Sequence, residues 1–400
     1  MRKRILAFVL VGLALAMLTA ANYQFARMAP GGNDFLPRWL ALRLWLLEGR
    51  NPYAPEVTLA IQRMIYGRPA LPGEDVSHFV YPLYVAVVLS PFSLLPYTLA
   101  RALWMTVLEL SLVGLTLLSV RWAGWRLSSR GRLALVLWVV LGYHGLRTVV
   151  LGQYAGWNAF LMAAALVLLQ ARRDAWAGVL LALSTVKPQM AFLLVPWLLL
   201  WAWGTGRRRL IGSTMGTLVV LWGVSFVLLP QWLQGWLRQV MEYPSYTGPG
   251  SPLTALAAWL PFPPEGQRLV SILLHASGFL YLLRWWKRGW KARDRPFLWV
   301  TAITLLMTNL LGIRTGTTHA LMLLPAVALI GAWYAEQGPR KMRTLAVVLG
   351  LLGIGEWGLF AVTLRGNAEH PVMFFPLPLA VWAGLERIRP TFSWPEEKER

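Results

Sequence analysis

The chain has no cysteine, which excludes a disulfide framework, a thiolate metal site and a Cys nucleophile. It is also poor in charge. Only 14% of its 400 residues are Asp, Glu, Lys or Arg, against roughly 25% in an average soluble chain. Acidic residues are the scarcer kind, 17 against 38 basic ones. HExxH, P-loop, GxSxG and metal-ligand clusters are missing, so neither a metal nor a cofactor is expected. No linker or low-complexity stretch divides the chain, which predicts one integral membrane domain over 1–400.

What remains is apolar: 57% of the residues, in runs of helix-spanning length from end to end. That pattern predicts an all-α, polytopic, multi-pass transmembrane protein. A net charge of +21 would by itself suit nucleic acid. The basic residues, however, fall mostly in short links between apolar runs, as the positive-inside rule requires, so membrane lipids are the expected partners and nucleic acid is not. The 23 Trp suit interfacial belts.

The first apolar run, about residues 5–22, follows Arg2, Lys3 and Arg4 and reads as a retained anchor. Residues 23–80 then form a long outer segment with two helices. In the first, Asp34 precedes a helix with Pro37 in its opening turn, and Gly49 and Asn51-Pro52 close it. Its Arg38 and Arg43 stand among Trp and Leu, the pattern of an amphipathic helix in the membrane interface. The second runs from Pro55 to near Gly67. A bundle over 81–386 follows, and a cytoplasmic tail at 387–400. Its apolar segments fall near 81–96, 97–120, 133–150, 157–171, 175–189, 190–204, 210–229, 268–284, 297–313, 318–334, 343–363 and 372–386.

The basic links at 171–174, 204–209, 284–295 and 336–343 belong inside, with the C-terminal tail. Those at 147–157, 187–189, 230–267, 312–317 and 365–371 then fall outside. Thirteen segments cannot place both termini inside, and the basic link at 121–132 fits neither count. One early segment is therefore expected to be re-entrant or broken. The candidates are 81–96, with Pro91, and 133–150, interrupted by Gly142-Tyr143-His144-Gly145.

This topology gathers polar residues on the outer side: Asp34, Tyr81-Pro82, Arg147, Gln153, Asn158, Lys187, Arg314 and His319. Ionisable groups at bilayer depth cost roughly 2.5–3.5 kcal/mol and usually mark function. Each also has a structural reading. Asp34 can be a helix N-cap, Lys187 a snorkelling lysine beside Pro188, Arg147 an interfacial anchor, and Gln153 and Asn158 pairs between helices. His319, Glu109 and Glu356 suit structural roles. Taken together, the set suggests a cationic, hydrogen-bonding pocket with a carboxylate at its rim. Such a pocket suits a phosphate-bearing ligand delivered from the bilayer.

Several stretches resemble one family in order and spacing. They are Asp34-Phe35, the run Glu48 to Tyr53 (EGRNPY), Phe79 to Tyr84 (FVYPLY) with Pro91 and Pro96, Leu151 to Asn158 (LGQYAGWN), and the hairpin from Gly178 to Lys187-Pro188. Over about residues 30–205 the chain resembles the polyprenol-phosphate-sugar-dependent glycosyltransferases of GT-C type, specifically glycosyltransferase family 87, which includes bacterial mannosyltransferases.

The resemblance implies a GT-C-like fold in a bacterial plasma membrane with an extracytoplasmic active site. A hexose, mannose first, or a pentose would pass from a polyprenyl-phosphate donor to a glycolipid or glycan acceptor. Asp34 would be the general base, and Lys187 and Arg147 would hold the donor phosphate. The chain departs from the family pattern at Gly312 to His319 (GIRTGTTH), where only the His and small hydroxyl residues match, and at Leu83, where a second Pro is expected. Ser251 to Thr254 (SPLT) stands in place of an Asn-x-Ser loop. The rival readings are a transporter or flippase of lipid-linked sugars, which would show inverted repeats, and a polymerase or ligase of lipid-linked glycans.

Overall fold

A computed structural model describes residues 2–29, 31–246, 250–312, 314–365 and 369–389, and among them the chain is helical throughout, with no strand. The expected tail at 387–400 lies outside the described residues from position 390 onward, as do Ile313 and residues 366–368 of two expected outer links.

The outer segment holds α2 (Leu36–Glu48) and α3 (Pro55–Tyr66), after the long α1 (Arg2–Met28). Both short helices begin with Pro in the first turn and stop at a left-handed glycine, Gly49 at φ 68° and Gly67 at φ 72°. The 81–96 segment is a 3-10 turn, Leu83–Val85, leading into α4 (Ala86–Ser93). α5 (Tyr97–Ala123) is a full-length span. α6 (Ser129–Leu141) and α7 (Tyr143–Leu151) form an apolar helix pair bent by 52° at Gly142, the geometry of a broken span or a re-entrant loop. The bend has a steric cause: a Cβ at Gly145 would stand 1.9 Å from the Val139 carbonyl oxygen, and one at Gly142 2.3 Å from that of Trp138. The break expected within 133–150 is there.

Shorter apolar helices follow: α8 (Ala155–Gln170), α9 (Asp174–Ser184), α10 (Pro188–Ala191) and α11 (Leu194–Gly204). Then come α12 (Arg208–Leu228), α13 (Trp232–Glu242), α14 (Pro252–Ala258), α15 (Pro264–Gly289) and α16 (Asp294–Leu311). The chain continues through a 3-10 turn, Thr317–Leu323, into α17 (Leu324–Glu336), α18 (Pro339–Thr363) and α19 (Pro376–Ile388). Six described helical stretches are long and apolar enough to cross a membrane, or seven if the bent pair is one span.

The chain divides into two compact units. The first comprises residues 1–111, 147–157 and 221–247, and the second 112–146, 158–220 and 248–400. The first is built on the outer segment, where α2 packs on α4. The second is built around α16, which is buried on every side from Trp299 to Leu311, as a helix in the middle of a bundle must be. Its threonines satisfy the neighbouring indoles and themselves. Trp197 Nε1 donates to Thr301 Oγ1 at 3.1 Å and Trp286 Nε1 to Thr304 Oγ1 at 2.9 Å, and Thr304 and Thr308 donate back to carbonyls four residues earlier.

Two polar pairs stitch spans together inside their units. Asn22 donates to Glu109 Oε2 at 2.8 Å, and His144 Nε2 lies 3.1 Å from Glu356 Oε1. Elsewhere the long helices expose apolar side chains, Phe8 at 78%, Val227 at 83% and Val362 at 81% among them. Apolar faces of that extent suit contact with lipid tails; the protein is membrane-embedded.

Candidate functional site

In the first unit the carboxylate of Asp34 is positioned through its own backbone. Gly31 and Gly32, at φ 136° and 74°, turn the chain out of α1. α5 clamps this turn: Tyr97 Oη donates to the Gly31 carbonyl at 2.9 Å, and Arg101 Nη1 to that of Ala29 at 2.7 Å. A Cβ at Gly32 would meet Tyr97 Oη at 2.7 Å, so glycine is needed there for space as well as for φ. The N–H of Asp34 donates to the carbonyl of Leu151 at 3.2 Å. The next residue, Phe35, is buried in a stack with Tyr97 and Trp104 at 6.2 and 5.9 Å between centroids.

α7 ends at that contact in a glycine cap. Gly152 has φ 68°, Gln153 N–H returns to the Thr148 carbonyl, and Trp104 Nε1 donates to the Gly152 carbonyl at 2.9 Å. A Cβ on Gly152 would stand 2.6 Å from Cβ of Phe35. Arg147 sits one helical turn before Leu151 on the same face of α7.

Asp34 stands one residue before the N-cap of α2. The N-cap position is Phe35, in helical conformation and with no side-chain cap bond. The Asp34 side chain is 31% exposed, and Arg38 at i+4 places its Nη1 4.0 Å from Oδ1. Arg38 lies over the Tyr81 ring, 4.6 Å from its centroid. Burial works against the guanidinium's charge, but Tyr81 and Asp34 beside it outweigh burial and hold its pKa above the ordinary value. Burial pushes the Tyr81 phenol up, so it stays a neutral donor, reaching Gln153 Oε1 at 3.4 Å. The Tyr81 carbonyl in turn accepts from Tyr53 Oη at 2.7 Å. Asp34, Tyr81 and Gln153 are thus joined through Arg38. Sequence reasoning named Arg38 only as part of an amphipathic face; its i,i+4 spacing from Asp34 was the available signal.

One strained residue borders this chain of contacts. Val80 has φ 45°, a left-handed conformation that a β-branched side chain rarely adopts. Its N–H is held by Gln239 Oε1 at 3.1 Å. Strain of this kind costs about 1–3 kcal/mol and persists where the surroundings over-determine it, often beside functional groups.

The second unit holds Asn158, Lys187, Arg314 and His319. Lys187 is the N-cap of α10, in the break after α9, and Pro188 keeps it out of helical conformation. It is 3% exposed. Asn158 on α8 is fully buried; its amide points Nδ2 at the sulfurs of Met162 and Met190, at 3.8 and 3.9 Å, and Oδ1 has no partner among the described residues. His319, 3% exposed, accepts from Gly316 N–H at Nδ1 and lies within electrostatic reach of Lys187. Gly312, at the end of α16, stands beside the Gln189 carbonyl, which brings the strand of chain carrying Arg314 to the Lys187 turn. Around His319, Thr317 Oγ1 donates to Glu369 Oε2 at 2.7 Å and Thr315 N–H to the Gly250 carbonyl at 2.7 Å. No group of three His, Asp or Glu side chains among the described residues is placed to hold a metal ion.

The sequence model of glycosyltransferase family 87 matches residues 79–307. The matched region contains Tyr81, Arg147, Gln153, Asn158 and Lys187, and leaves Asp34, Arg314 and His319 outside it. No curated protein matches the chain.

Proposed function

The chain belongs to glycosyltransferase family 87 and is a membrane glycosyltransferase, and we propose that it takes its sugar from a polyprenyl-phosphate donor with Asp34 as the general base. The sugar is a hexose, mannose first, or a pentose, and the acceptor is a hydroxyl of a glycolipid or glycan on the extracytoplasmic side. The observation that carries this reading is how Asp34 is held. Its backbone is pinned to Leu151, the Arg38 guanidinium lies 4.0 Å from its carboxylate, and about a third of the side chain is exposed. A carboxylate so presented can accept a proton from an incoming hydroxyl.

In the proposed step the acceptor O–H gives its proton to Asp34 and the oxygen attacks the anomeric carbon. The bond from that carbon to the phosphate oxygen breaks, and polyprenyl phosphate leaves with the electron pair. Lys187 and Arg147 neutralise charge on the leaving phosphate, and Asn158, Gln153, Tyr81, Arg314 and His319 bind substrate. Lys187 supports its role by being a buried cation at a helix break, a costly placement without a function.

The test is turnover of purified Asp34→Asn with polyprenyl-phosphate sugar. The expected loss is about 10²–10⁴-fold with an unchanged unfolding midpoint. Wild-type turnover by the variant would remove Asp34 from the chemistry.

A further inference from the structure

The second unit carries a cleft at the opposite end of α16 from the Lys187 turn. α16 has 18 residues, a length of about 27 Å at 1.5 Å per residue. Gly312, at its C-terminal end, faces the Gln189 carbonyl, whereas Arg293, Asp294 and Arg295, at its N-terminal end, line a cleft of about 530 Å³. The cleft therefore lies well away from the residues proposed for transfer in this unit.

Its walls have two chemistries. The floor is apolar and aromatic, from Trp122, Leu169, Trp201 and Phe297, all buried. Trp201 and Phe297 pack at 4.2 Å between centroids, and Trp201 Nε1 is tied to the Ala292 carbonyl at 2.8 Å. The rim is made of guanidinium groups, Arg121, Arg172, Arg207, Arg293 and Arg295.

Two of these are neutralised. Arg207 is paired with Asp174, Nε to Oδ2 at 3.0 Å, and stacks over Trp201 at 5.1 Å, while Arg295 pairs with Glu336. The guanidinium groups of Arg121, Arg172 and Arg293 make no hydrogen bond or ion pair with any described residue, and these three residues bond only through their backbones. The lining also includes the acidic Asp294. The surplus is cationic and sits directly above an apolar floor, at the ends of the apolar helices α5, α8 and α11.

We propose that this cleft binds the phosphate headgroup of an anionic membrane phospholipid, with the guanidiniums on the phosphate and the aromatic floor against the first part of the acyl chains. Three features favour a lipid over a soluble phosphate. The floor is apolar where a soluble anion needs polar walls, the cleft stands where spans end and so where headgroups lie, and basic pockets between spans on the positively charged side are suited to such headgroups. Of the links that form the rim, those at 170–172, 205–207 and 293–295 belong to the basic set that the charge rule places inside.

The experiment uses the full-length protein in phosphatidylcholine micelles, with Trp fluorescence quenched by brominated-chain phosphatidylglycerol; because the chain has 23 Trp, the signal of the site is the part of the quenching that is lost in Trp122→Phe/Trp201→Phe, the two indoles of the floor. Phosphatidylglycerol is expected to bind more tightly than phosphatidylcholine. Arg121→Gln/Arg293→Gln should weaken it by roughly 30-fold, whereas Arg208→Gln/Arg209→Gln, exposed basic residues outside the cleft, should not. Unfolding midpoints confirm that both variants are folded. Equal binding by the cleft variant and the control would overturn the site. Glycerol 3-phosphate displacing the lipid at the lipid's own concentration would overturn the lipid as occupant and leave a soluble phosphate.

Discussion

Asp34 and Lys187 are held in opposite ways. Asp34 stands in a short turn with its backbone fixed and a third of its side chain exposed. Lys187 caps a four-residue helix and is almost wholly buried, with His319 within electrostatic reach. The difference teaches where stability and activity separate. A side chain fixed through its backbone can change its chemistry without disturbing the fold, whereas a buried cation at a helix break is coupled to the groups around it. Side-chain substitution at Asp34 should therefore give an inactive and stable protein, and substitution at Lys187 a protein that loses both.

The largest effect that would sharpen this contrast is at Asp34. With Asn in its place, the Leu151 contact and the Phe35 stack remain, so the rate falls while the midpoint stays. Lys187→Ala comes next. It should weaken donor binding by tenfold or more and also lower the midpoint, since the neighbours of a buried charge are left uncompensated. Unchanged donor affinity would return Lys187 to a packing role, and an unchanged midpoint would break the comparison itself.

Gly152→Ala tests the backbone side of the same contrast. The substitution forces a Cβ into left-handed backbone, at about 1–2 kcal/mol, and into Cβ of Phe35 at 2.6 Å. Stability should fall by about 2–4 kcal/mol once overpacking is included, and turnover should fall with it because Asp34 is displaced from Leu151. Arg38→Gln is expected to act more gently. It removes a cation 4.0 Å from the carboxylate but leaves the backbone in place, and the carboxylate is itself a third exposed to screening solvent, so turnover should drop by about tenfold or less. A rate identical to wild type would remove Arg38 from the site.

Much of the fold was legible in the sequence because its signals are local. The glycines that stop α2 and α3, the proline that starts each, and the Gly142 and Gly145 break all act within a turn of where they stand. The start of the basic link at 121–132, which fits neither count, shares a cleft with the 171–174, 204–209 and 284–295 links. That grouping depends on packing, which no short stretch encodes. The same holds for Arg38 over Tyr81, for the His144–Glu356 pair 212 residues apart, and for the strain at Val80.

The smallest expected effect lies at His78, near the strained Val80. His78 Nδ1 pairs with Thr58 Oγ1 at 3.0 Å and Nε2 lies 3.3 Å from Glu242, along a cleft of about 370 Å³ in the first unit. Burial lowers its pKa below the ordinary 6.5, with Glu242 opposing that shift. A histidine whose folded pKa is depressed favours the neutral form when folded. Its contribution to stability is complete above pH 6.5 and is lost as the pH falls from there through the folded value. Amide exchange across residues 76–80 should therefore speed up between pH 7.5 and 5 after correction for intrinsic rates, and His78→Gln should flatten that dependence. Because the Asp34 backbone is fixed through α5 and α7, its own amide should keep its protection over the same range. Parallel loosening at Asp34 would mean that the carboxylate is held by the outer loop as a whole.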